Sequence, residues 1–265
     1  MKSKAKLGAQ LSLVLLCALG LKHFYSVASP DQLRWILAPT TWLVELLSGY
    51  SFTFESHAGY MSSDHSFLIA ASCAGVNFMI TAFVLLTMRK FWTHRDQSLN
   101  WFFIPGSLLI AYGATICANT VRIWIALESR SLAAELDWLS GSQIHRLEGI
   151  IIYFGFLLIL VLITEKKPLN SSADLFRLLR FPLLIYYLTA LAIPLLNGAF
   201  RQPAFWEHGL FVLLVPALLV GSALAVRPML SLIQGDHALM SGMTESGIKD
   251  VGDCSLRAPR SKVIS

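Results

Sequence analysis

Long apolar runs separated by short polar stretches dominate this chain, and that pattern predicts helices that cross a bilayer. A crossing helix needs about 20 mostly apolar residues. Runs of that kind lie at Leu7–Val27, Phe67–Met88, Phe102–Leu127, Phe181–Leu196 and Leu210–Leu230. A sixth, Gly149–Ile163, is long enough to cross if its first turn begins at His145. Pro182 and Pro194 fall inside the Phe181–Leu196 run, and membrane helices tolerate them. The segment Leu33–Leu47 carries Arg34, Pro39 and Glu45 and is short for a crossing, so it reads as an interfacial or re-entrant helix. Residues 49–66 include Glu55, His57, Asp64 and His65, too polar for hydrocarbon. The expected fold is an all-α polytopic membrane bundle of about six transmembrane helices plus that short segment. Residues 1–231 form the membrane domain, and residues 232–265, rich in Gly, Ser and charge, form a mobile tail.

Composition agrees with the pattern. Hydrophobic residues make up 55% of the 265 positions and charged residues only 14%, which excludes an ordinary soluble domain. The basic start, Met1 to Lys6, followed by an apolar run resembles a signal peptide, but the run continues through Lys22 and an uncleaved first helix fits better. Four irregularly spaced cysteines, Cys17, Cys73, Cys117 and Cys254, suggest neither a disulfide framework nor a zinc site. No metal or organic cofactor is expected.

The net charge of +5 matters through its placement, not as a sign of nucleic-acid binding. With the N-terminus inside, the inner segments hold Lys2, Lys4, Lys6, Arg89, Lys90, Arg95, Lys166, Lys167, Arg177 and Arg180. The outer segments hold Arg34, Arg130, Arg146 and Arg201, a ratio of ten to four. This is the usual bias toward positive charge inside. It fits six crossings with both termini cytoplasmic, while the Leu33–Leu47 segment leaves seven or eight open.

That topology brings three chemically able residues to one level. Cys73 lies near the start of a span that begins outside, Arg122 near the end of one that finishes outside, and His145 at the start of the next. At 1.5 Å per residue, each falls within about 10 Å of the outer end of its helix. Cys73 and Asn77, four apart, would share a helical face, as would Asn119 and Arg122. A thiol becomes nucleophilic when a histidine or cation favours its thiolate. Arginine stays charged where water is scarce and can hold an oxyanion or a carboxylate. Each residue also has an ordinary explanation. A free cysteine packs as a small hydrophobe, an arginine snorkels to headgroups, an asparagine joins helices, and a histidine can simply begin a helix. Cys117, deeper in its span, reads as packing, and His57 and His65 rank below His145 as a base.

Three short motifs fall in order at helix ends: Ser72-Cys73-Ala74-Gly75, Asn119-Thr120-Val121-Arg122 and His145-Arg146-Leu147-Glu148-Gly149. Together they resemble the exosortase/archaeosortase family of integral-membrane cysteine transpeptidases, and the first resembles the exosortase K subgroup in particular. The resemblance covers residues 55–163. It implies a catalytic trio of Cys73, Arg122 and His145; Asn77, Asn119 and Glu55 are the residues expected beside them to bind substrate or support the site. It also implies cleavage of the C-terminal sorting tail of secreted proteins (a motif, a membrane helix and a basic end) and transfer to an acceptor. The implied location is the bacterial inner membrane, with the site facing outward and lipids as neighbours. Two other functions compete: an acyl- or glycosyl-transferase in which Arg122 binds phosphate, and a transporter or structural membrane protein. No internal echo of the Cys73 or Arg122 motif follows Lys167, which disfavours a transporter built from two related halves.

Overall fold

The computed structural model describes residues 2–94, 100–133, 141–165, 171–196, 201 and 205–225. Residues 1–219 make one compact unit. The tail expected from residue 232 and the basic loop residues Arg95, Lys166 and Lys167 lie outside the described residues.

Among the described residues six helices are long and apolar enough to cross a membrane, as the hydropathy pattern predicts. The first crossing is α1 (Lys2–Val27). The short α2 (Arg34–Ser48) follows. Next come α3 (Val76–Thr93), α4 (Phe103–Ala133), α5 (Gly141–Thr164) and α6 (Ser172–Tyr187). A π-turn over Leu188–Ala192 continues α6 into α7 (Ile193–Leu196), and together they form one span. The helix over Phe205–Ala225 is the sixth crossing.

The bundle is organised around α3, which packs on α1, α4, α5 and α6. It is 61% buried, more than any other span. Between apolar helices in lipid there is little hydrophobic drive to associate, so close backbone approach and polar contacts hold the bundle. Helix α4 supplies both. Ala111, Thr115, Ala118, Asn119 and Ala126 recur at helical spacing and are buried, giving α4 a narrow face of small and polar side chains. Farther along the bundle, Thr81 Oγ1 donates to Thr189 Oγ1 at 3.0 Å, joining α3 to the π-turn.

Helix α2 is the short segment set apart in the sequence. Ile36, Leu37, Thr40, Thr41 and Val44 are buried along one side, while Trp35, Trp42, Leu46 and Leu47 are exposed. An amphipathic helix with tryptophans on its open side suits the membrane interface. Trp35 stacks on Tyr112 of α4 at 5.7 Å, and the Tyr112 hydroxyl donates to the Trp35 carbonyl.

Residues 49–66, expected only to lie outside the hydrocarbon, build most of a small antiparallel sheet in the order β1-β2-β3. Its strands are β1 (Phe52–Glu55), β2 (Gly59–Ser62) and β3 (Leu68–Ile69). Phe52 pairs with Ser62, Glu55 with Gly59, and Tyr60 with Ile69. The sheet is tied to the helices at two points. Glu45 Oε1 accepts from the Phe52 N–H at 2.7 Å, and the Asp31 carboxylate accepts from Ser56 Oγ and the His57 N–H. In the β2–β3 turn, hydrogen bonds from Ser62 and Ser66 hold the Asp64 carboxyl down to about 2, so this turn keeps its charge at neutral pH.

At the opposite end of α3 from Cys73, Arg89 Nη2 meets Glu165 Oε2 at 2.7 Å, and Nη1 donates to the Val161 carbonyl. Both side chains are mostly buried, at 16% and 22% exposure, so removing either leaves its partner's charge poorly solvated. Glu165→Ala is expected to lower unfolding stability by roughly 1–3 kcal/mol, measured by thermal unfolding in detergent. Arg89→Ala should cost more, because the Val161 carbonyl also loses one of its donors, keeping the Thr164 hydroxyl. Equal midpoints for both variants and the parent would show that this clamp adds nothing.

Candidate active site

Cys73 does not sit within a transmembrane α-helix. Ala71–Ala74 form a single 3-10 turn, and Gly75 then adopts φ 69° and ψ 15° before α3 begins at Val76. The left-handed residue breaks the helical register, so Cys73 and Asn77 do not share a face as their spacing suggested. Asn77 instead lies in the first turn of α3, exposed, where its Oδ1 accepts from Lys22 Nζ of α1 at 2.8 Å. The thiol-bearing turn thus stands at the mouth of the bundle, half-buried, immediately ahead of the central helix.

Helix α4 runs past the Leu127 end expected from hydropathy and continues to Ala133. Neither Gly nor Pro interrupts Glu128–Ala133, and several of its residues favour helix, so the helix outlasts its apolar run. Arg122 is therefore eleven residues from the end of α4, about 16 Å along the axis. In the same way α5 begins at Gly141, which places His145 in its second turn.

Four of the expected residues meet here in two pairs, Arg122 with His145 and Asn119 with Cys73. Arg122 Nη2 lies 2.7 Å from His145 Nε2. A guanidinium only donates, so Nε2 must be the acceptor, the ring is neutral, and its proton sits on Nδ1. Nδ1 lies 3.9 Å from Glu148 Oε2, one turn along the same helix. Asn119 is fully buried and its Nδ2 donates to the carbonyl oxygen of Cys73.

Tyr153 of α5 joins these two halves, and sequence reasoning missed it. Its hydroxyl accepts from Arg122 Nη1 at 3.1 Å and donates to Asn119 Oδ1. Its ring stacks on Phe78 of α3 at 5.0 Å. Two more unforeseen residues come from α1. Tyr25 approaches the Ala71 carbonyl at 3.5 Å, and Lys22 lies over the Tyr25 ring. Cys73 and Arg122 are both electrostatic neighbours of Tyr25 and of Tyr153.

Other expectations fare differently. Glu55 is exposed at the end of β1, and its side chain takes no part in these bonds. Among the described residues the Cys73 thiol makes no hydrogen bond, with His145 or with any other group. Arg122 Nε is buried and unpartnered. It faces Gly149, where an added Cβ would stand 3.4 Å away.

No family model, curated protein or solved structure matches the chain. The molecule is a polytopic, mostly helical membrane-spanning protein. Its end near Cys73 gathers a thiol, a guanidinium, an imidazole and a tyrosine hydroxyl. Among the described residues no three His, Cys, Asp or Glu side chains are grouped to hold a metal ion. This set suits acyl transfer: a nucleophile, a neutral ring able to take a proton, and a cation able to hold developing negative charge.

Proposed function

We propose that this chain is a membrane-embedded cysteine peptidase/transpeptidase, similar in action to the exosortases. It cleaves the C-terminal sorting tail of secreted proteins and passes the new carboxyl end to an acceptor. The observation that carries the reading is the contact of Arg122 with His145, linked through Tyr153 and Asn119 to the turn of Cys73. The positive-inside bias supports a site on the outer face of a bacterial inner membrane, with the Arg89–Glu165 end in the cytoplasm.

The chemistry follows from the resting contacts. At rest Arg122 occupies the Nε2 lone pair of His145, so the base is masked. A substrate carbonyl draws the guanidinium toward its oxygen, using Nη2 together with the unpartnered Nε–H, and Nε2 is freed. His145 takes the thiol proton as Cys73 Sγ bonds to the carbonyl carbon, and Arg122 stabilises the oxyanion. Collapse breaks the C–N bond, and the imidazolium returns its proton to the leaving amine. An acceptor amine, lipid headgroup or water then attacks the thioester, giving its proton to His145, and the thiol re-forms.

The test begins with proteins of the same cell whose C-termini share one motif, an apolar helix and a basic end. Their C-terminal masses are compared in cells with and without this chain. Loss of the tail only when the chain is present is the expected result, and identical masses in both would end the reading.

A further inference from the structure

We infer that Tyr153 is a positioning residue that couples Arg122 to the Cys73 turn, through a hydrogen-bond relay whose direction is fixed at both ends. This inference rests on the thiol-nucleophile reading above. The relay runs from Arg122 Nη1 to the Tyr153 hydroxyl, from that hydroxyl to Asn119 Oδ1, and from Asn119 Nδ2 to the Cys73 carbonyl.

Each terminus admits one polarity. The Cys73 carbonyl can only accept, so the amide nitrogen of Asn119 must face it and Oδ1 must face Tyr153. The guanidinium can only donate, so Tyr153 must accept from it and spend its single proton on Asn119. No group can be reversed without leaving two donors or two acceptors face to face. Bonds aligned in this way polarise one another and gain strength where water is scarce.

The setting makes the relay stiff. Asn119 has no exposed surface and presses against Gly75, where an added Cβ would stand 2.6 Å from its Nδ2. The Tyr153 ring is stacked on Phe78. Three separate spans therefore contribute to holding the guanidinium and the backbone of the Cys73 turn in one arrangement. The donor left over, Arg122 Nε, is buried and aimed by the same anchoring. A cation favours a forming thiolate only while it is held in place.

The test needs no natural substrate. The full chain in detergent is treated with iodoacetamide, and alkylation of Cys73 is followed by peptide mass, with added glutathione in the same tube as the reference thiol. Tyr153→Phe keeps the stacked ring but cuts the relay. We expect it to slow Cys73 relative to glutathione by about tenfold. Arg122→Gln should slow it equally, and the double variant no further, since both remove one coupled unit. Asn119→Ala cuts the relay at its next link and should also slow the reaction.

A Tyr153 that merely braced the fold would act in the opposite sense, because a loosened turn exposes the thiol and speeds alkylation. Unchanged or faster alkylation in Tyr153→Phe, with Arg122→Gln slow, would overturn the relay alone. If Arg122→Gln also leaves the Cys73 rate unchanged, both the relay and the activated-thiol reading beneath it fail.

Discussion

A chain carrying Cys73→Ala is expected to accumulate normally in the membrane and leave every sorting tail uncut. The two halves of that expectation have separate causes. Cys73 is tied into the fold through its carbonyl, which accepts from Asn119, and alanine keeps that carbonyl. Its sulfur is half-buried and makes no hydrogen bond among the described residues, so its removal should cost no more than about 1 kcal/mol of stability. On the proposed peptidase reading the thiol is the nucleophile, and without it Arg122 and His145 have nothing to activate. Removing the central member of a catalytic unit lowers turnover by roughly 10⁴-fold or more, which is total loss in a mass measurement. Cys73→Ser should fare little better, since an alcohol is far harder to ionise than a thiol. A transferase that used Arg122 to bind phosphate would behave otherwise, surviving Cys73→Ala and failing in Arg122→Gln. Intact tail removal by an abundant Cys73→Ala chain would therefore eliminate the peptidase reading.

The spans and the site were legible to different degrees, for physical reasons. A run such as Gly149–Ile163 declares itself, because hydrocarbon leaves few alternatives to a helix. Counting residues along such helices set Arg122 and His145 at one level, and they do meet, although both helices run farther than their apolar stretches suggest. The small sheet was less visible. The charges at Glu55 and Asp64 mark residues 49–66 as outside the hydrocarbon, but they do not say what those residues build. The alternation Phe52-Thr53-Phe54 and the turn glycine Gly59 were the available signals. The break at Gly75 was hidden by the apolar residues on both sides of it, which read as one continuous helix. Tyr153 was missed because a tyrosine in an apolar span passes for an interfacial aromatic. It lies eight residues beyond His145 on the same helix, about 12 Å along the axis. Its value depends on what α4 presents to it, and no reading of α5 alone contains that.

Gly75→Ala is expected to damage both stability and activity, and Gly49→Ala supplies the control that explains why. Both glycines are left-handed, with φ 69° and 73°. Forcing an L-residue into that region costs roughly 1–2 kcal/mol at either position. A Cβ at Gly49 would meet nothing within 4 Å, so the conformational cost is the whole cost there. At Gly75 the new methyl would stand 2.6 Å from Asn119 Nδ2 and 2.9 Å from its Cγ and Oδ1. Asn119 cannot retreat without giving up its bond to the Cys73 carbonyl, to Tyr153, or to both. A buried polar group left without a partner costs a further 1–3 kcal/mol, so Gly75→Ala should be the worse variant by about that much. Thermal unfolding in detergent measures the difference, and equal midpoints would mean that Asn119 is free to move. A third chain separates packing from chemistry. Adding Asn119→Ala to Gly75→Ala removes the atoms in collision, so stability should recover in part. Tail removal should stay impaired, because the Cys73 carbonyl has lost the donor that fixes its turn relative to Arg122.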